Sequence, residues 1–337
     1  MTAADTAAHQ ATMAPSGAAP RWLRGIFFAN LVAQTAIVVT GGLVRVTGSG
    51  LGCPTWPQCT EGSLVPTATQ SEAWHKYVEF GNRTLTFVLG ILAIAALVGA
   101  IAWARRLRRN HSAGRRPVVL LSAVPLAGTF AQAVLGGITV LTGLNPVTVA
   151  CHFLLSAAII AGSLLLVWRA RESADQPLVK LGVPAVRVLS KVLLVVGLLV
   201  LTLGTVVTGS GPHSGDADAA SRFPFDPRTV SWLHADVVIL FIGLTVGLLI
   251  ALSVTAAPRR AVNAVWWLLG LSLAQGLIGY VQYFTALPWV LVSLHLLGSA
   301  LVWIALLRVP LTLRTRGVAT TGQAPTSSTS ASTATSA

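Results

Sequence analysis

Eight stretches of this sequence are each long and apolar enough to cross a bilayer as a helix, and that pattern constrains the fold more than any other feature. A spanning helix needs about 20 predominantly apolar residues. The runs cover about 26–42, 80–103, 117–141, 147–168, 188–208, 230–253, 262–284 and 289–309. Only "TGLNP" separates the third from the fourth, and only "TALP" the seventh from the eighth, so each of these pairs reads as a tight helical hairpin. A chain of 337 residues that is 54% hydrophobic and 10% charged is not an ordinary soluble domain. Its ten Trp suit membrane interfaces and its 31 Gly suit close helix contact. The net charge of +13 could suggest nucleic acid, but the cations sit in short clusters between apolar runs. Membrane lipid, and no nucleic acid, is therefore the expected partner. Arg21 and Arg24 precede the first run and no A-x-A site ends it, so it reads as a retained helix.

Lys and Arg set the orientation. Arg105, Arg106, Arg108, Arg109, Arg115 and Arg116 follow the second span. Arg169, Arg171, Lys180, Arg187 and Lys191 follow the fourth, Arg259 and Arg260 the sixth, and Arg308, Arg314 and Arg316 the eighth. The intervening loops are poor in cations. This predicts a multi-pass protein of the cell (plasma) membrane with both termini cytoplasmic and every odd-numbered loop outside.

The first outer loop carries "SGLGCPTWPQC", with Cys53 and Cys59 six positions apart. Outside the cytoplasm a Cys pair is free to oxidise. A zinc site would want four ligands, and His75 is the one plausible local addition. A structural disulfide is the favoured reading, and a labile redox pair the sharper one. Cys151, at the start of the fourth span, reads as a small buried apolar residue.

The chain also matches itself. "TGSG" occurs at Thr47–Gly50 and again at Thr208–Gly211, after spans one and five. In spans three and four, Gln132, Gly136 and His152 answer Gln275, Gly279 and His295 of spans seven and eight at one offset. Asn82 in span two then answers His234 in span six. The expected fold is an all-α integral membrane protein whose eight transmembrane helices form two tandem four-helix bundles related by an internal parallel repeat. The divisions expected are a disordered cytoplasmic tail at 1–20, an N-terminal bundle at 21–170, a cytoplasmic linker at 171–187, a C-terminal bundle at 188–310 and a second disordered tail at 311–337.

Of seven histidines, His9 and His111 read as solvated and His75 and His213 fall in outer loops. His152, His234 and His295 lie within the outer portion of spans, where an ionisable residue is costly and becomes a functional candidate. His234 and His295 come from the second and fourth helices of one bundle, which suits the two axial positions of a haem iron. Zinc would need further ligands, and none is near. In the other bundle His152 faces Asn82, so a haem there would have one strong ligand and a weaker or open opposite side. Asp236, two positions from His234, points to a different side of its helix.

Glu79 stands three residues before Asn82 and four before Arg83, on one helix face. An interfacial Glu79–Arg83 pair would be worth little. The sharper reading sets Glu79 beside the first-bundle pocket, where it could move protons or stabilise positive charge on a substrate. Ser231 occupies the matching position in the second bundle. Arg45 and Arg83 are candidates to pair with haem propionates, with an interfacial anchor as the alternative for Arg45.

"GGLVRVTGSGLGCPTWPQC", "EFGNR", "GGITVLTGLNPVTVACHFLLS" and "SLHLLGSALVW" together resemble signatures of the haem A synthase family over about residues 22–310. The resemblance implies oxidation of a methyl group of haem O to the formyl group of haem A, which serves cytochrome oxidase. It implies a haem b cofactor with His234 and His295 as axial ligands, His152 as a ligand to the iron of the substrate haem, and Asn82 and Arg83 in that pocket. It further implies Glu79 as the catalytic carboxylate and Cys53 and Cys59 as the outer-loop pair. Haem O, the haem O synthase that supplies it and an unidentified electron donor are the implied partners. Asn82 departs from the better-known pattern, which has histidine there. Two rival classes stand beside this reading: a bis-histidine electron-transfer cytochrome that oxidises quinol without substrate chemistry, and a transporter built on a parallel repeat.

Overall fold

The computed structural model describes residues 18–109, 115–172, 176–216, 221–255 and 257–316. His9, His111 and residues 1–17 and 317–337 of the expected tails at 1–20 and 311–337 lie outside the described residues. Eight helices are long and apolar enough to cross a membrane. They are α1 (Arg21–Val46), α2 (His75–Arg109), α3 (Arg116–Leu141), α4 (Pro146–Arg169), α5 (Pro184–Ser210), α6 (Pro227–Val254), α7 (Arg259–Phe284) and α8 (Trp289–Thr312).

Local sequence sets their ends. Proline stands in the first turn of α3, α4, α5 and α6, where no backbone N–H is missed. Asn145 caps α4 by accepting from the Val147 amide, and Asp226 caps α6 by accepting from the Thr229 amide at 2.9 Å. The two expected hairpins turn in the same way. The Leu144 N–H donates to the Thr139 carbonyl at 2.9 Å, and the Leu287 N–H to the Gln282 carbonyl at 2.8 Å. Each turn passes through left-handed backbone, at Gly143 and Leu144 in one and Ala286 and Leu287 in the other.

The helices pack as two rings. α1 packs on α2, α2 on α3, α3 on α4, and α4 back on α1; α5, α6, α7 and α8 close a second ring in the same order. Among the described residues α2 does not pack directly on α4, nor α6 on α8, so each pair faces across the centre of its ring. The rings join through α1, α4, α5 and α8. Leu23, Phe27, Ile160, Leu193, Leu248 and Leu306 are enclosed, and the buried Trp303 indole donates to the Ala157 carbonyl at 2.9 Å across the joint. Phe87, Phe130 and Phe284 instead stand more than 70% exposed, as lipid-facing side chains do. Cys151 is exposed as well, correcting its expected burial. It lies off the buried stripe of α4 formed by Ala157, Ile160, Leu164 and Val167.

At the loop end, the chain around the first TGSG segment docks on the chain around the second. The Gly50 amide donates to the Gly215 carbonyl at 2.8 Å. Arg45 donates from Nε to the His213 carbonyl at 2.7 Å and from Nη2 to the Thr208 carbonyl at 3.1 Å. Arg45 therefore ties one ring to the other; it is not a simple interfacial anchor. At the basic end, β1 (Leu178–Lys180) pairs antiparallel with β2 (Arg314–Arg316). The Glu172 carboxylate meets Arg169 at 2.7 Å and Arg316 at 3.3 Å, and its carbonyl accepts from Arg115 at 2.6 Å. Two expected boundaries move accordingly: residues 311–316 close α8 and form β2, and part of the expected linker forms β1 and the first turn of α5.

Candidate functional site

The outer loop closes on itself through a Cys53–Cys59 disulfide with both cysteines buried. Arg83, on the third turn of α2, organises it. Its Nε and Nη2 donate to Glu79 Oε1 at 3.0 and 2.6 Å, Nη1 to the Thr55 and Gln58 carbonyls at 3.0 Å, and Nη2 to the Cys53 carbonyl at 2.8 Å. All five N–H groups are thereby engaged. Glu79 Oε2 accepts from the Cys53 amide at 2.6 Å. Glu79 is only 6% exposed, so the pair is not the solvated ion pair of the simpler reading. Lys76 adds donations from Nζ to the Thr67 and Gln70 carbonyls, and the Trp56 ring lies on Gly137 of α3, where a side chain would collide with it. The loop thus lies over the end of the first ring, clamped to α2 and resting on α3.

Within the rings, three imidazoles sit in the same way. His152 lies against Gly136, His234 against Gly204 and His295 against Gly279, each glycine on the preceding helix. A Cβ on those glycines would stand 3.3, 3.5 and 3.5 Å from the ring Cε1, so the seat has room for a methyl group at most. The fourth seat pairs Gly41 with Asn82, whose Nδ2 would lie 3.9 Å from such a Cβ. His234 is therefore at the α5–α6 seam and His295 at the α7–α8 seam, on helices that face across the second ring. Asn82 and His152 occupy the corresponding seams of the first ring. The Nδ1 atoms of all three histidines are buried and without a hydrogen-bond partner. These Nδ1 atoms lie on the ring edge turned to the glycines, 3.9–4.0 Å from where a Cβ would stand, so that edge faces the neighbouring helix.

The two rings differ in detail. In the first, the Thr40 hydroxyl donates to Asn82 Oδ1 at 2.8 Å, and Gln132 Nε2 donates to Ser156 Oγ at 2.6 Å and the His152 carbonyl at 2.9 Å. In the second, Gln275 Nε2 lies against Gly298, and the Oε1 atoms of Gln132 and Gln275 are both buried and unpartnered. Among the described residues no three His, Cys, Asp or Glu side chains group as a protein-only metal cage would require. Two imidazoles on opposed helices can instead offer nitrogen to both faces of a planar group between them. Gln132 and Gln275 are matched positions in the sequence, whereas nothing local marks Thr40 or Trp56, because their partners Asn82 and Gly137 are distant in the chain.

Eight spanning helices in two rings, with histidines seated at facing seams, define a multi-pass membrane protein with two intramembrane polar sites. The family model described as cytochrome oxidase assembly protein, COX15-CtaA, matches residues 24–307, and the chain belongs to that family. A protein named Heme A synthase from Lysinibacillus sphaericus is 35% identical over 43% of this chain and 44% of its own length. Proteins of the same name from Bacillus licheniformis and Methylobacterium sp. are 26% and 30% identical, over 63% and 60% of this chain and 65% and 60% of their own lengths. The chain thus spans less than two thirds of each of these relatives.

Proposed function

We propose that this chain is a haem A synthase, an oxidoreductase that converts a methyl group of haem O to the formyl group of haem A for cytochrome oxidase. The observation that carries the reading is the unequal pair of sites. The second ring offers facing histidines, His234 and His295, whereas the first offers His152 opposite Asn82. The glycine seats, which hold an imidazole close against the preceding helix at His152, His234 and His295, fit haem groups at both. His234 and His295 would hold haem b as a closed, electron-transferring site, and His152 would hold haem O with one face less firmly ligated. A bound haem supplies the iron-centred redox chemistry that side chains lack. The protein's own residues orient and exclude. Thr40 fixes the Asn82 amide, Gln132 fixes the backbone at His152, and Arg83 holds the disulfide loop as a cover that keeps water from the first ring. Glu79, one turn from Asn82, is assigned to proton handling at Oε2, the oxygen that Arg83 does not contact.

The matched hairpins, glycine seats and TGSG segments support an internal parallel duplication as the origin of the two rings. The Lys and Arg distribution supports both termini on the cytoplasmic side of the cell membrane. Haem O synthase is the proposed source of substrate. The test is spectroscopic. Purified protein should show a low-spin haem, and His234→Ala and His295→Ala should each abolish that signal. A colourless protein would favour a transporter, and an unchanged low-spin spectrum in both variants would remove the ligand assignment.

A further inference from the structure

We propose that the cation cluster at the basic end, formed by Arg169, Arg314 and Arg316 with Lys180 beside them, binds a phosphate group, supplied by the headgroup of an anionic phospholipid. The Glu172 carboxylate is the centre of the cluster. Arg169 Nη1 and Arg316 Nε reach its Oε2 at 2.7 and 3.3 Å, and Arg314 Nη2 stands 3.9 Å from its Oε1. Three guanidinium groups thus gather on one carboxylate. Their side chains are only 19–24% exposed, so water compensates their charge poorly. Arg314 is the least compensated. Its side chain makes no hydrogen bond to a described residue, and its Nε and Nη2 atoms are buried, which leaves Nη1 as its outward donor. Burial lowers its pKa; Glu172 opposes that shift, and the charges of Arg169 and Arg316 reinforce it.

The ribbon adds a second observation. β1 and β2 are three residues each, and a two-stranded ribbon is marginal by itself. Here like charges also oppose each other: Lys180 is in register with Arg314 and shares its side of the ribbon. Arg316, two positions from Arg314, lies on that side as well. Arg260 holds this strand from α7, donating from Nε to the Thr312 carbonyl at 3.2 Å and from Nη2 to the Arg314 carbonyl at 2.9 Å. The fold therefore keeps four cations around one carboxylate, on segments far apart in the chain. An anion bound between them offsets the repulsion and holds the ribbon.

Depth and chemistry select the anion. α8 has 24 residues, about 36 Å at 1.5 Å per residue, which exceeds a hydrocarbon core of about 30 Å. β2 begins two residues beyond it, so the cluster is level with lipid headgroups. A phosphate presents several oxygens at once, in the paired geometry that a guanidinium matches. Phosphatidylglycerol brings a full negative charge, whereas phosphatidylcholine carries its own cation. α4 and α8, whose ends carry the cluster, also join the two rings, so a bound headgroup braces that joint.

The test uses full-length protein in detergent, with lipid binding read by native mass spectrometry and stability by thermal unfolding. Measurements are made at physiological ionic strength, where charges more than about 8 Å apart are largely screened. Wild type should bind dioleoylphosphatidylglycerol at least tenfold more tightly than dioleoylphosphatidylcholine. Arg314→Gln and Lys180→Gln should each reduce that preference to threefold or less. Lys180 is exposed, so its replacement keeps the test decisive if Arg314→Gln fails to fold. Arg109→Gln, exposed at the end of α2, should leave the preference within twofold of wild type. An unchanged preference in both ribbon variants would overturn the site, and so would an equal loss in Arg109→Gln, which would indicate diffuse attraction to the whole basic face. Inorganic phosphate separates the sources. If it raises the unfolding temperature of wild type but not of Lys180→Gln, while phosphatidylglycerol does neither, the phosphate site stands and the headgroup assignment falls.

Discussion

Arg83→Ala should release the outer loop without breaking its disulfide. The substitution removes both donors to Glu79 Oε1 and the donors to three loop carbonyls. Leaving one member of a buried ion pair alone costs about 3–5 kcal/mol. The side chains are 22% and 8% exposed, so the lower end of that range applies. The Gln58 carbonyl belongs to an exposed residue and regains water, whereas the Cys53 carbonyl is buried and adds about 1–3 kcal/mol. The disulfide still restrains its short loop by about 2 kcal/mol. At about 1.4 kcal/mol per factor of ten, a loss of about 4–6 kcal/mol corresponds to roughly a thousandfold to ten-thousandfold faster exchange of the Cys53 amide, whose acceptor Glu79 has then lost its partner. Hydrogen exchange read by mass spectrometry across residues 51–70 measures this directly. Arg83→Lys should fall between the two, because an ammonium cannot span the same acceptors. Less than a tenfold change in Arg83→Ala would refute the claim that this guanidinium holds the loop.

Glu79→Gln should retain a side chain that can accept from the Cys53 amide but remove the charge; haem A output is expected to fall at least tenfold, while the second-ring low-spin spectrum persists. Near-normal output from a protein with a loosened loop would make Glu79 part of the clamp only. Cys53 and Cys59 should resist alkylation in non-reduced protein and both react after reduction; free thiols at both positions would contradict the disulfide. At Gly279, alanine places a Cβ 3.5 Å from His295 Cε1, an ordinary contact, so the low-spin spectrum should survive. Leucine at the same position should displace the ring and abolish the signal, and an unchanged spectrum in that variant would show that the seat does not orient His295.

The eight spans were legible because hydrocarbon imposes a length and a composition on every helix that crosses it. Most of their ends fall within four residues of the apolar runs, and α2 is the exception at both ends. α2 runs from His75 to Arg109, well past the apolar run at 80–103, because Glu79 and Arg83 satisfy each other at one end and the arginines at the other extend from the bilayer. The cysteine pair was readable from spacing and compartment. The clamp around it was hidden, since three of the acceptors of Arg83 are backbone carbonyls and a carbonyl leaves no mark in sequence. For the same reason Arg45 read as an anchor or propionate partner, although it bonds the Thr208 and His213 carbonyls of the other ring. The pairing of β1 with β2 was also invisible: Leu178-Val179-Lys180 and Arg314-Thr315-Arg316 are three residues each and far apart in the chain. The matched Gln, Gly and His positions were visible as a pattern, but the glycines become seats for the rings only in the folded chain.

The most direct measurement is the haem composition of membranes from cells that make haem O and express this chain, determined by extraction and chromatography. Haem A, or its hydroxylated precursor, appearing only when the chain is present is the expected result. Haem O alone, in membranes where the protein is present and carries a low-spin haem, would contradict the proposed oxidation and leave an electron-transfer cytochrome in its place.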